Sequence, residues 1–451
     1  MNHRIAQWLP LTTTYNRKPA VPSNVSQPAP PPSPSSSPAE PQSIYRHSAF
    51  LSFMASRLLA VFATQVQAVV VAWQVYDLTR SPMALAYVGL AQFLPMLVLL
   101  LPAGDLIDRF ARKPILAASW AVGAVCSAML WWLSGHGAAG VSGIYAVLVL
   151  FGCSRAFSGP ALQSLLPQIV AREQLAQAIA ANSMIMRAAS IGGPFLGGVL
   201  YAIGGGQLTY AVCCVCLLLG TALLIWLVPV KFASPPAPVQ GTMFERFGAG
   251  IRFIRTRPII LGTISLDLFA VLLGGVIALL PIYAHEVLHV GPEGLGALRS
   301  AMAIGEVSAG LYLSIKPFDQ RVGRTMFIAV AIFGIANLVF SLSTVFAISF
   351  IALMIAGAAD MVSVYIRGAL VQFSTPDHMR GRVNAVNMLF IGSSNELGEF
   401  RAGTSAAWVG AVPAAVLGGV CTLAVVGLWS RIFPTLRDVD KFEEAARPED
   451  Q

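Results

Sequence analysis

Charge is scarce in this sequence. Of 451 residues only 11% are Asp, Glu, Lys or Arg, against 56% hydrophobic, where soluble globular domains carry about 25% charged residues. With a mean hydropathy of +0.70, the apolar surface exceeds what a water-soluble fold of this length can bury. Lipid must be the solvent for much of the chain. The six cysteines, Cys126, Cys153, Cys213, Cys214, Cys216 and Cys421, all lie inside apolar runs. None has a partner at zinc-module spacing, so they read as small helix-packing positions rather than a metal site. No apolar run in residues 1–47 resembles the core of a secretory signal. No Gly-rich loop ends in Lys-Ser or Lys-Thr, which argues against ATP hydrolysis as an energy source and implies no cofactor.

What fills the sequence is a succession of apolar runs from Ser48 to Pro434, separated by short polar breaks. A spanning helix needs roughly 20 apolar residues. The pattern predicts twelve spans: 50–76, 83–104, 114–133, 143–163, 176–203, 207–228, 259–284, 294–315, 325–343, 346–372, 383–409 and 411–432. Residues 1–47, rich in Pro, Ser and Ala, are expected to be a disordered tail. Residues 48–229 and 259–434 form two six-span halves, and 435–451 a second tail. The linker at 230–258 has Phe247, Ile251 and Ile254 at helical spacing among Arg246, Arg252 and Arg255. It reads as an amphipathic helix on the membrane surface.

The basic residues set the orientation. Arg109, Arg112, Lys113, Arg172, Lys231, Arg252, Arg255, Lys316, Arg321, Arg324, Arg380 and Arg382 all fall on one side of an even, regular helix count, as do those of both tails. The opposite loops hold Arg80 and no other Lys or Arg. Positive residues stay in the cytoplasm, so both termini are expected there. The net charge of +8 is thus a topology signal and not a nucleic-acid footprint.

The halves read as repeats. A shift of about 205 residues brings Asn182 onto Asn387, Gly193 onto Gly398 and Gly198 onto Gly403. Two parallel six-helix halves enclosing a midplane site are a transporter architecture. After the second span stands Gly104-Asp105-Leu106-Ile107-Asp108-Arg109-Phe110-Ala111-Arg112-Lys113. It resembles the Gly-x-Leu-x-Asp-Arg-x-Gly-Arg-Lys loop of the major facilitator superfamily, with Ala111 where that family has Gly. The resemblance implies a gating loop of Gly104, Asp108, Arg109, Arg112 and Lys113. Gly193-Pro194-Phe195-Leu196-Gly197-Gly198 resembles the superfamily's Gly-Pro-x-x-Gly-Gly antiporter motif, and implies export. The stretch from Gly381 to Phe400, with Asn384, Asn387, Asn395, Glu396 and Glu399, resembles the subgroup containing the enterobactin exporter and macrolide-efflux proteins.

Charges inside spans each cost roughly 2.5–3.5 kcal/mol and need a partner or a task. The acids Asp267, Glu306, Asp360, Glu396 and Glu399 are candidates for carrying protons, and Glu396 and Glu399 share one helix face. Arg57, Gln65, Trp73 and Gln74 in the first span, with Arg155 in the fourth, are candidates for facing a substrate cavity. Hydrogen-bonded helix packing is the alternative for the first-span groups. Arg367 and Arg401 are expected to be structural. His285-Glu286-Val287-Leu288-His289 matches the His-Glu-x-x-His pattern of zinc hydrolases, but it runs at once into Gly291-Pro292 and a third ligand is not evident.

The expectation is an all-α membrane protein of two pseudo-symmetric six-helix bundles with the major facilitator fold. It would be a monomer in a bacterial inner membrane, exporting a small organic molecule against a flow of protons. A symporter or a lipid flippase of the same fold is the alternative, and an intramembrane zinc hydrolase the remote one.

Overall fold

The computed structural model describes residues 48–136, 140–171, 174–230 and 243–446. The Pro-rich N-terminal stretch, Arg172, Lys231 and the prolines of the linker lie outside the described residues, as do the side chains of Asp108 and Arg246. Among the described residues there is no strand. The helices are α1 Ser48–Thr79, α2 Pro82–Arg109, α3 Arg112–His136, α4 Val141–Ile169, α5 Leu175–Leu227, α6 Met243–Arg255, α7 Pro258–Gly274, α8 Leu280–Ile282, α9 Pro292–Ile315, α10 Val322–Leu342, α11 Phe346–Phe373, α12 Asp377–Val409, α13 Ala411–Ile432 and α14 Pro434–Arg437. Among the described residues nine helices are long and apolar enough to cross a membrane, with α5 counted once and α7 continued to Val287. The long helices α9 and α12 are too polar to qualify. They carry Arg299 and Glu306, and Glu396, Glu399 and Arg401, respectively.

One kink divides a long apolar run into two spans, and a second break interrupts the seventh span without dividing it. Within α5 the backbone leaves helical geometry at Gly204 and at Gly205, where φ is +62°. Only glycine takes up that conformation readily, and the break turns one 53-residue helix into two spans. The seventh span was expected to be continuous over 259–284 but is not. It stops at Gly274, passes through a 3₁₀ turn at Ile277–Leu279, and ends in a π-helical turn at Tyr283–Val287. A break inside a bilayer exposes carbonyls that water cannot reach, so the protein must satisfy them. Arg401 donates to Leu272 O at 3.1 Å and to Gly275 O at 3.3 Å. Asn337 Nδ2 donates to Gly274 O, and Thr422 Oγ1 to Ala270 O, both at 3.3 Å. Arg401 therefore caps a broken helix.

The first bundle packs α1 on α5, α2 on α4, and α3 on both α4 and α5. The second packs α9 and α10 on α11, α10 on α13, and α7 on α12 and α13. The bundles meet mainly through α5 on α9 and α2 on α12. The 205-residue repeat is visible in this packing. A Cβ at Gly152 of α4 would lie 2.3 Å from Gln92 O of α2, and one at Gly357 of α11 would lie 2.0 Å from Met302 O of α9. Between bundles, Gly198 of α5 sits on the start of α9 (2.2 Å from Pro292 O), and Gly403 of α12 on the start of α2 (3.0 Å from Pro82 O). Equivalent glycines make equivalent contacts, and a side chain at these positions would push the helices apart.

The linker helix expected at the membrane surface docks on protein. The apolar side of α6 packs on α7, α11 and α12, with Ile254 buried among Ile260, Val371 and Val383, while Arg252 and Arg255 stay exposed. Residues 434–446 are likewise not a free tail. Leu436, Val439 and Phe442 are buried against α7, α10 and α11. The Val322 and Gly323 amides donate to Asp440 O and Val439 O at 3.1 and 3.0 Å. Apolar residues at 436, 439 and 442 recur at a spacing that buries one face, and this overrides the polar composition around them.

Candidate functional site

Among the described spanning helices the most polar, α12, lies against α2 at the junction of the bundles, and its carboxylates point there. A Cβ on Gly89 of α2 would be 3.7 Å from Glu396 Oε2 and 3.8 Å from Glu399 Oε2. Both acids thus converge over a glycine that leaves them room. From α4, Arg155 Nη1 reaches 3.5 Å from Glu396 Oε1 and 3.4 Å from Gln92 Oε1. Arg299 of α9 and Arg155 are the cations that act on Glu399. Four charges and one amide, drawn from both bundles, therefore form one cluster. The Glu396 side chain is 18% exposed and that of Arg155 40%, so the cluster is open to a cavity rather than sealed. That cavity measures about 240 Å³ and is lined by Gln65, Gln67, Gln92, Arg155 and Ser158 among others. At the end carrying the basic residues, a second space of about 650 Å³ separates Gly104, Ile107 and Pro160 of one bundle from Phe247, His378 and Arg382 of the other.

The far end is closed by an apolar seal. Val69, Trp73 and Tyr76 of α1 and Leu85 of α2 are buried with Leu279, Leu280, Tyr283 and Leu298 of the second bundle. Trp73 belongs to this seal and does not line the cavity. Gln74 is not a cavity group either. It receives a hydrogen bond from the Tyr210 hydroxyl at 2.7 Å and donates one to Ser134 Oγ at 2.8 Å. Arg57 is buried away from the cavity, with its Nε unpartnered. Of the five expected cavity groups, Gln65 and Arg155 line it. Helical position alone does not say which face of α1 meets α3 and α5. Gln92 was missed, although it stands one turn from Gly89 in an otherwise apolar span.

The remaining acids fall into two groups. Asp267 of α7 is ion-paired with Arg367 of α11, and both are buried. This is a pair within one bundle, and it makes Arg367 structural, as expected. Glu306 of α9 is acted on by the charges of Asp360 on α11 and Arg187 on α5. Arg187 reaches across to α9, its Nη1 being 3.4 Å from a Cβ placed on Gly310.

Residues 39–449 match the family model described as transmembrane secretion effector. The chain belongs to this family of the major facilitator superfamily. Curated relatives include the enterobactin exporter EntS of Citrobacter koseri, 26% identical over 75% of this chain and 81% of that protein. EntS of Salmonella typhimurium is 25% identical over the same shares. Among solved structures, the fold is similar to an inward-facing bacterial homologue of the iron transporter ferroportin, with a TM-score of 0.66 and 17% identity over 88% of this chain and 100% of that one. A peptide transporter of the POT family gives a TM-score of 0.70 at 10% identity, over 89% and 97%. This secretion-effector chain is accordingly a multi-span membrane transporter and not an enzyme.

The motifs that resemble the superfamily's have physical tasks here. Gly193 and Gly197 bring α5 close to α1, at Gln65 and Val66, while Gly198 admits the start of α9. Pro194 O lies 2.4 Å from a Cβ placed on Gly296 of α9. The antiporter-like motif is thus the packing surface that closes the far end. In the loop after α2, Lys113 Nζ donates to Ile225 O and Val228 O at 2.9 and 2.7 Å, tying α3 to the end of α5. Arg109 pairs with Asp105 at 3.0 Å and is exposed. Neither Lys113 nor Arg109 bridges the bundles in this state. The His285–His289 segment does not present two imidazoles on one helical face. His285 lies in the π-helical turn, and His289 has φ +51° beyond its end.

Proposed function

We propose that this transporter exports a small organic molecule across a bacterial inner membrane by alternating access, driven by protons. The Arg155–Glu396 pair carries the reading, because it joins the bundles at the polar cavity. The basic end faces the cytoplasm by the positive-inside rule, so the open space there and the sealed far end correspond to an inward-facing state. A proton arriving on Glu396 neutralises one partner of the 3.5 Å pair. That weakens the hold of α12 on α4 and α2 and leaves Arg155 free for a polar or anionic group of the substrate. Glu399 keeps a partner in Arg299 and stabilises the arrangement around it. A proton moving down about 100 mV supplies about 2.3 kcal/mol, enough for more than tenfold accumulation. Export of a siderophore or a drug fits the EntS relatives, with the cavity enclosed by a single chain.

The test is uphill movement in liposomes under an imposed proton gradient, with enterobactin as the first probe. Glu396→Gln is expected to abolish gradient-driven movement while leaving substrate binding measurable. Unchanged uphill movement in Glu396→Gln, Glu399→Gln, Glu306→Gln and Asp360→Asn alike would remove proton coupling from the reading. A flippase reading draws support from an apolar groove of about 780 Å³ between α2 and α4, lined by Leu94, Val98 and Val149. Movement of a labelled lipid without a proton requirement would favour it.

A further inference from the structure

The ion pairs of the second bundle leave Asp360 unmatched. Asp267 has Arg367, and Glu306 is acted on by Arg187. No basic side chain acts on Asp360 among the described residues. Asp267, Glu306 and Asp360 against Arg367 and Arg187 leave one negative charge. A lone carboxylate at membrane depth is costly and calls for a compensating positive charge.

Asp360 stands at a small cavity inside the bundle, between α7, α10 and α11. The cavity measures about 10 Å³, the space of roughly one water. Its polar walls are Asp267 of α7 and Asp360 and Ser363 of α11, and its apolar walls include Ala270, Val330 and Phe333. Asp360 and Ser363 are three apart and share a helix face. Ser363 is 2% exposed, and its Oγ makes no hydrogen bond among the described residues. A serine or threonine inside a helix can donate to the carbonyl one turn back, as Ser341 does to Asn337 O and Thr375 to Val371 O, both at 2.6 Å. Ser363 forgoes that bond, so a buried oxygen at this cavity is left for another partner. Arg367 engages Oδ2 of Asp267 and leaves Oδ1. Val271, also in the wall, belongs to the last turn of α7, where the helix dipole favours a cation.

The donor set names the ligand class. Carboxylates and a hydroxyl are hard oxygen donors, and neither His nor Cys joins them in the walls, so the set suits a hard cation. One unmatched negative charge is balanced by a monovalent ion. Calcium takes 6–8 oxygens and magnesium keeps several waters, and a cavity of about 10 Å³ has no room for either shell. Sodium takes fewer and closer oxygens than potassium. We propose that Asp360, Ser363 and Oδ1 of Asp267 form a sodium site that ties α7 to α11. Asp360 is partly exposed while Asp267 and Ser363 are buried, so the ion enters over Asp360. The site lies within one bundle, apart from the Arg155–Glu396 pair, and does not rest on the proton-driven reading.

The test measures retention of radioactive sodium by the purified full chain in detergent, at one pH and constant ionic strength. Saturable binding is expected, displaced by unlabelled sodium and not by potassium or choline. Asp360→Asn should weaken it by at least an order of magnitude (about tenfold, or ~1.4 kcal/mol), and Ser363→Ala should weaken it several-fold. Ser308→Ala, which removes a hydroxyl already bonded to Ile304 O, should leave it unchanged. Thermal unfolding in choline checks that each variant is folded. Ser363→Ala removes a single oxygen, so it keeps the test decisive if Asp360→Asn misfolds. Absence of saturable sodium binding would mean an ordered water only and would overturn the site. So would binding undiminished in folded Asp360→Asn or in Ser363→Ala, and equal displacement by potassium would overturn the assignment to sodium. None of these results bears on proton-driven export, which Glu396→Gln decides separately.

Discussion

Asp267 and Arg367 provide a demanding test of how the charges in this protein are divided between structure and transport. Both lie inside the second bundle, with side chains 7% and 6% exposed, and they are paired with each other. Asp267→Asn leaves the Arg367 guanidinium without its counter-charge. An uncompensated Arg at a helix centre costs roughly 2.5–3.5 kcal/mol, and breaking a buried pair by removing one partner costs about 3–5 kcal/mol. The two ranges overlap near 3 kcal/mol, more than a hundredfold in the folding equilibrium. Arg367→Met should cost a similar amount. The double variant Asp267→Leu with Arg367→Met removes both charges together and should return to within about 1 kcal/mol of the parent, because a buried pair replaced by apolar groups is close to neutral. Thermal unfolding in detergent reads the stability of the three variants, and gradient-driven movement in liposomes reads their transport. The double variant is expected to transport. If Asp267→Asn proves as stable as the parent yet loses uphill transport, the pair is not structural, and Asp267 joins the coupling carboxylates.

Two further outcomes follow from close contacts. Gly198→Leu puts a side chain where a Cβ alone would already meet Pro292 O at 2.2 Å. It should hold the far end open, seen as faster modification of a thiol placed in the seal by Ala72→Cys, at constant pH, with loss of uphill transport. Gly323→Val places a side chain 1.9 Å from Leu436 O and should displace the C-terminal segment, lowering stability by ~1–3 kcal/mol and exposing the chain after Phe433 to protease.

The sequence alone determined that lipid is the solvent, that about twelve helices cross it, and that they form a duplicated unit. Each follows from composition or spacing along the chain, quantities that need no knowledge of neighbours. The two superfamily-like motifs were legible for the same reason, being contiguous. What those motifs touch was not legible. The Gly193–Gly198 run meets α1 and α9, and Lys113 meets the end of α5. The tertiary structure alone decided the partners. Arg155 meets Glu396 and not a substrate-only pocket, Asp267 takes Arg367, and Gln74 and Trp73 turn inward to packing and to the seal. A spanning helix is apolar on nearly every face, so its sequence carries little sign of which face meets which neighbour. The charges that find each other are separated by many spans, and only the packing of the two bundles brings them within reach.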